Sequence, residues 1–220
     1  MAVEHISGLK RIEQFSRDEM GMLCMDETRS VYPHQQVYGQ YCTIEETINC
    51  PPEKVFEYLS DTRSLEEWTW STRGFEATET PGLYRGFDQL ADDTPIYCKT
   101  LSNKDAMTVD YHCAWDQGAH LWMIYLMRVV PAQLVFNKPG SVVLWSNCKH
   151  PFYDQNPFPD TAPGERDTWV GDLWPFFRAG HVVEMINLKK ILEHRHLHGE
   201  TLRPWAQSSK ENKKPSILAA

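Results

Sequence analysis

Glu46 is an acid on an otherwise apolar strand face, because Cys42, Ile44, Glu46 and Ile48 alternate with Thr43, Glu45 and Thr47. Period-two alternation carries the apolar set, and Glu46 with it, to the inner face of a sheet. A carboxyl desolvated there has a raised pKa and can act as a general acid or base near neutral pH. A bulge that turns Glu46 outward, or an arginine that pairs with it, would remove that role. His181 and Glu184 form a second candidate, since they stand three residues apart on the side of a helical stretch that also carries Phe177, Leu188 and Ile191. An imidazole oriented by a carboxylate is a proton shuttle, while the alternative is a hydrogen-bonded core histidine. Tyr111 alternates with Val109, Cys113 and Trp115, and Tyr125 with Met123 and Met127. Either hydroxyl can position a carbonyl or a phenol, or each ring can simply pack.

Arg128 falls opposite the Tyr125 face, among Trp122, Ile124 and Leu126. It either binds a carboxylate inside a cavity, snorkels to solvent, or pairs with Glu46. Eight tryptophans and nine each of tyrosine and phenylalanine bear on ligand class. Trp68, Trp70, Trp115, Trp122, Trp145, Trp169 and Trp174, with Met107, Met123, Met127 and Met185, are spread over elements that should surround one interior. Flat rings and adaptable thioethers suit a planar aromatic ligand; otherwise they fill the core. The residues expected to bind it are Trp68, Trp70, Trp115, Arg128, Trp145, Phe177 and Met185. No Gly-rich phosphate loop, G-x-S-x-G, H-E-x-x-H or C-x-x-C motif is present, so no cofactor is expected. His194 and His198 have the i, i+4 spacing of metal ligands, but no third ligand has diagnostic spacing. Imidazoles at the negative end of a helix dipole account for them, and no metal is expected.

Apolar alternation between turn residues predicts strands over Cys42 to Ile48, Arg73 to Thr78, Tyr84 to Leu90, Pro95 to Leu101, Ala106 to Trp115, Leu121 to Ala132 and Ser141 to His150. Short turns between them require antiparallel pairing. Pro51 and Pro52 end the first strand and open a short helix with Val55, Phe56 and Leu59 on its apolar side. Asp61 is placed to cap a second, carrying Leu65, Trp68 and Trp70 inward. Pro175 opens a long helix that Gly199 and Pro204 close. The spacing of Ile6, Leu9, Ile12 and Phe15, with a capping box at Ser16 and Glu19, predicts one or two short helices across the core. The proline- and aspartate-rich Pro151 to Gly164 reads as a loop over a cavity mouth. The domain plan is an N-terminal extension over 1–40, the main domain over 41–200 and a mobile tail over 201–220.

The run Y-C-T-I-E-E-T-I-N-C-P-P-E-K-V-F-E-Y-L-S-D-T-R-S-L-E-E-W-T-W from Tyr41 to Trp70, one strand, two prolines and two short helices, resembles the opening of the START-like (helix-grip, SRPBCC) superfamily. That resemblance implies an α+β helix-grip fold: a seven-stranded antiparallel sheet wrapped around a long C-terminal helix, with two short helices after the first strand. It also implies an internal apolar cavity, which should exceed ~300 Å³ if it holds a small molecule. Within the superfamily the polyketide cyclase/aromatase and dehydratase branch is the nearest likeness. It implies a cofactor-independent cyclase or dehydratase acting on a hydrophobic, aromatic or polyketide-like intermediate of specialised metabolism. The alternatives are a non-catalytic carrier or sensor with the same cavity, or an interaction role for the N-terminal extension. Rieske-type oxygenases share this fold, but no His-His-carboxylate set can be matched here.

Composition narrows the partners. The 220 residues are 41% hydrophobic, enough for a sizeable core, and the formal net charge is -8. An acidic chain without a broad basic surface argues against nucleic acid or an anionic membrane. Charges interrupt the first residues too early for a signal peptide, and no run approaches a membrane span, so the expected location is cytoplasmic. The partner expected is a hydrophobic small molecule, and a homodimer is compatible with the reading. Cys24, Cys42, Cys50, Cys98, Cys113 and Cys148 contain no C-x-x-C pair and are expected to be reduced and structural.

Overall fold

A computed structural model describes residue 3 and residues 5–31, 41–91, 94–115, 120–156 and 169–203. Its centre is an antiparallel sheet. The strands are β1 (Tyr41–Ile48), β2 (Thr72–Ala77), β3 (Leu83–Asp88), β4 (Thr94–Asn103), β5 (Thr108–Trp115), β6 (Met123–Pro131) and β7 (Ser141–Cys148). They lie in the order β1-β7-β6-β5-β4-β3-β2. From β2 to β7 the chain is a meander, and β1 then pairs with β7 from Tyr41↔Cys148 to Ile48↔Ser141. Each expected strand is present, with ends that coincide or shift by at most two residues.

Local chemistry explains the helices. In α1 (Arg17–Val31) the first turn is held by the Ser16/Glu19 box: the Glu19 carboxylate accepts from the Ser16 amide at 2.8 Å, and the Ser16 hydroxyl accepts from the Glu19 amide at 3.3 Å. The helix α2 (Pro52–Leu59) begins at the second proline and buries Val55, Phe56, Tyr58 and Leu59. Asp61 accepts from the Arg63 amide at 3.0 Å and caps a 3-10 turn, Thr62–Ser64, that runs into α3 (Leu65–Trp68). A five-residue helix, α4 (Ala132–Phe136), breaks the run expected to continue as strand beyond Pro131. Its C-cap, Asn137, takes the left-handed conformation at φ 53°, which asparagine tolerates.

The helix α5 (Trp174–His198) spans 25 residues, about 37 Å at ~1.5 Å per residue, and packs against β1, α1 and α3. This is the helix-grip arrangement, a curved sheet closed over one long helix. Ahead of α1 the segment with buried Val3, Ile6 and Leu9 runs along α5. Asn187, itself buried, ties it down by accepting from the Lys10 amide at 2.9 Å and donating to the Lys10 carbonyl at 2.8 Å. No disulfide links cysteines among the described residues, and five of the six are buried. Among the described residues no helix is long and apolar enough to cross a membrane. The expected mouth loop is seen only at its start, where Pro151–Tyr153 makes a 3-10 turn; residues 157–168, like the tail beyond 203, lie outside the described residues.

Candidate functional site

Between sheet, α3 and α5 lies a cavity of about 660 Å³, within the range of small-molecule sites. The sheet contributes Phe75, Asp88, Ile96, Tyr111, Cys113, Trp115, Met123, Tyr125 and Trp145, all from concave faces. Leu65, Trp68, Thr69, Trp70, Ser71 and Thr72 form one side, and α5 presents Phe177, Gly180, His181 and Glu184 at helical spacing. From α1 come Arg17, Asp18, Gly21, Met22, Cys24 and Met25. Trp70 can lie against α5 because residue 180 is glycine: a Cβ there would meet the indole at 3.2 Å.

Glu184 is buried at 5% relative exposure, and burial raises its pKa against the opposing hydrogen bond and charge of His181. Its Oε2 is 2.9 Å from His181 Nδ1, while Oε1 receives only a long contact, 3.4 Å, from the Trp70 amide. The two side chains hold one proton between them at Nδ1 when the imidazole is neutral and the carboxyl ionised. Asp88 on β3 is a second carboxyl of the lining, its pKa also raised by burial, although Ser71, the Leu90 and Ala91 amides and the Trp115 indole hydrogen-bond to it. Its charge adds to the rise at Glu184. Asp88 was not anticipated; its alternation with Tyr84 and Gly86 was the available signal.

Four buried side-chain polar atoms lack a hydrogen-bond partner among the described residues: Trp145 Nε1, Asn147 Nδ2 and Oδ1, and His181 Nε2. They form one neighbourhood. His181 lies on Trp145 with ring centroids 4.1 Å apart and meets Tyr125 edge-on at 5.6 Å. Asn147 follows Trp145 by two residues on the same strand face and is the register partner of Tyr125. An orphaned buried donor or acceptor costs about 1–3 kcal/mol, so several in one place mark a spot that a polar group can stabilise. Asn147 was not anticipated; its inward alternation with Trp145 was the available signal.

The tyrosines divide. Tyr111 donates its hydroxyl to the Leu59 carbonyl at 2.7 Å, which ties the sheet to the end of α2. The Tyr125 hydroxyl is hydrogen-bonded to Tyr153, and burial raises its pKa well above the usual phenol value. Trp68, Trp70, Trp115, Trp145 and Phe177 line the cavity as expected from sequence.

Three expected site residues are placed elsewhere. Glu46 does project from the inner face of β1, but there α5 covers the strand, and Lys189 pairs with the carboxylate at 2.8 Å. Arg128 occupies the outer face of β6, where its guanidinium bonds Asp110 at 2.6 Å and the Met127 carbonyl at 2.7 Å; its neighbours Met127 and Val129 turn inward instead. Met185 is packed in the solid part of the core, one position round α5 from Glu184. Of the wider aromatic and methionine set, Trp122, Trp169, Trp174, Met107 and Met127 do not line this cavity. Trp122 stacks on Trp169 at 6.0 Å and meets Tyr153 at 4.8 Å.

Fold and site together define a helix-grip protein with a cavity whose walls are largely apolar and rich in aromatic rings. Residues 40–145 match a family described as a domain of unknown function (DUF8713). No curated protein matches the chain. Among solved structures, the protein XoxI from Bacillus cereus is 14% identical, with 70% of this chain and 96% of that one covered and a TM-score of 0.49. The Zhui aromatase/cyclase from Streptomyces sp. R1128 is likewise 14% identical over 73% of this chain and 98% of that one, TM-score 0.49. The Aha1 dimer from Colwellia psychrerythraea is 14% identical over 70% and 96%, TM-score 0.46.

Proposed function

We propose that the chain binds a hydrophobic aromatic or polyketide-like molecule in this cavity and catalyses its cyclisation or dehydration without a cofactor. The supporting observation is the clustering of every orphaned buried polar atom of the described residues around His181, Trp145 and Asn147. An apolar ligand with one carbonyl directed at that corner would meet the Trp145 indole N–H and the His181 imidazole.

His181 Nε2 removes a proton from the carbon next to the carbonyl, giving an imidazolium and an enolate. Glu184, bonded at Nδ1, orients the ring and stabilises its positive charge. The Trp145 indole N–H stabilises the enolate oxygen. In dehydration the enolate expels a β-hydroxyl, which takes the imidazolium proton and leaves as water. In cyclisation the enolate carbon attacks a second carbonyl of the same molecule, and that oxygen takes the proton. The aromatic walls hold the chain folded, which supplies the orientation such a step needs.

One observation favours a carrier instead. His181 Nε2 is screened by Trp145, Tyr125 and Phe177, so one of these rings must move aside before it meets a ligand. Proton exchange of an aryl methyl ketone in D2O, followed by NMR, separates the readings. The enzyme reading expects wild-type protein to accelerate loss of the methyl signal and His181→Phe to lose ~10²-fold of that acceleration while tryptophan quenching by the ketone persists. Tight binding without acceleration would leave the carrier.

A further inference from the structure

The sequence places His194 and His198 one turn apart near the end of α5 and offers no third ligand beside them. The fold supplies one from the other end of the chain. Asn187 pins Lys10, Gly8 lies against Lys190, and the buried Val3 and Ile6 bracket an exposed His5, so the N-terminal segment descends α5 to its last turns. His5 and His194 meet there with ring centroids 5.0 Å apart.

Glu200 is aimed at the same point by the helix cap. Gly199 adopts φ 65°, and the Glu200 amide bonds the Arg195 carbonyl at 2.8 Å, which turns the chain back over the last turn. One carboxylate oxygen is then 3.6 Å from His5 Nε2 and the other 3.4 Å from His194 Nε2. Both distances exceed the ~2.7–2.9 Å of a charge-assisted hydrogen bond. Three ligand atoms, one from each residue, lie within 4.8 Å of one another.

We propose that His5, His194 and Glu200 form a site for a divalent transition-metal ion of the Zn2+ class. Two imidazoles and one carboxylate are a donor set that such ions take, with bonds of ~2.0–2.2 Å and water in the fourth position. Bonds of that length put the donors roughly 3.3–3.5 Å apart, which small rotations of these accessible side chains reach. His198 is not needed, since its Nδ1 is engaged with the His194 carbonyl at 2.7 Å. A bound ion would clip the N-terminal segment to the end of α5. Because that segment leads into α1, which lines the cavity, the clip would also steady one wall of the cavity.

The test is calorimetric titration of the full chain, stripped with a chelator, with Zn2+. One ion per chain is expected, and His5→Ala, His194→Ala and Glu200→Gln should each weaken binding by roughly tenfold or more. His196→Ala, an exposed imidazole in the same turn but outside the cluster, should leave it unchanged. Co2+ should give the visible absorption of a tetrahedral site in wild type and lose it in His5→Ala. No binding, equal affinity in wild type and His5→Ala, or an equal loss in His196→Ala would overturn the proposal.

Discussion

The helix α5 passes two buried carboxylates that have been treated in opposite ways. Near its middle Glu184 has a neutral-capable imidazole and one long amide contact. About eleven residues on, roughly 16 Å along the axis, Arg195 grips Glu67 of α3 through two bonds at 2.8 and 3.0 Å, and Tyr58 of α2 donates to the same carboxylate at 2.7 Å. Glu67 is satisfied, solid packing surrounds it, and its work is to fasten three helices together. Glu184 borders open space, and its pKa is pushed up. A fully paired carboxylate beside a guanidinium is structural, whereas a carboxyl left with only a titratable partner can exchange a proton. The same helix therefore carries a lock near its C-terminal end and, near its middle, a buried carboxyl paired only with an imidazole and one long amide contact.

Breaking the lock should have the largest effect. Arg195→Leu leaves Glu67 buried without its cation and should cost about 3–5 kcal/mol in urea unfolding, while adding Glu67→Met should recover much of that loss. If Arg195→Leu alone is nearly neutral, the two carboxylates do not differ as described. Near the middle of the helix His181→Phe should cost less, about 1–3 kcal/mol, because Glu184 loses its imidazole partner but can take up a proton in its place. Its effect should appear in turnover, about 10²-fold or ~2.7 kcal/mol of barrier.

Gly180→Ala sharpens the comparison by filling space without touching charge. Its Cβ would press on Trp70 at 3.2 Å, and about 1 kcal/mol of stability should be lost together with cavity volume, measurable as weaker binding of an aromatic dye. The smallest effect is a pH slope. Glu184 has a raised folded pKa, so the stability linked to its protonated form is complete below the unfolded value and is lost as pH rises through the folded one. Glu184→Gln should remove that loss: its melting temperature should gain on wild type as pH climbs from 4 to 8. A constant difference between the two proteins across that range would show that Glu184 ionises as an ordinary surface acid does.

Much of this architecture was legible because it is local. Strand ends at Ile48 and Trp115, the proline start of α2, the Asp61 cap, the Ser16/Glu19 box and the Gly199 stop of α5 depend on residues within a few positions of one another. Alternation also grouped Tyr111 with Trp115 and Tyr125 with Met123, and helical spacing put Phe177, His181 and Glu184 on one side; these residues line the cavity. Glu46 shows where that logic ends. Its face was read correctly, but whether that face meets a cavity or Lys189 depends on how α5 crosses β1.

By itself the sequence determined the periods of its elements, hence their type, order and apolar faces, because side-chain direction along a strand or helix repeats every two or 3.6 residues whatever surrounds it. Only the tertiary structure decided the partners: Lys189 for Glu46, Asp110 for Arg128, Arg195 for Glu67, and His5 for His194. Except for the Arg128 pair, on neighbouring strands, these join residues more than a hundred positions apart. Their meeting is set by the crossing and rotation of α5 against everything packed on it, which no local repeat encodes.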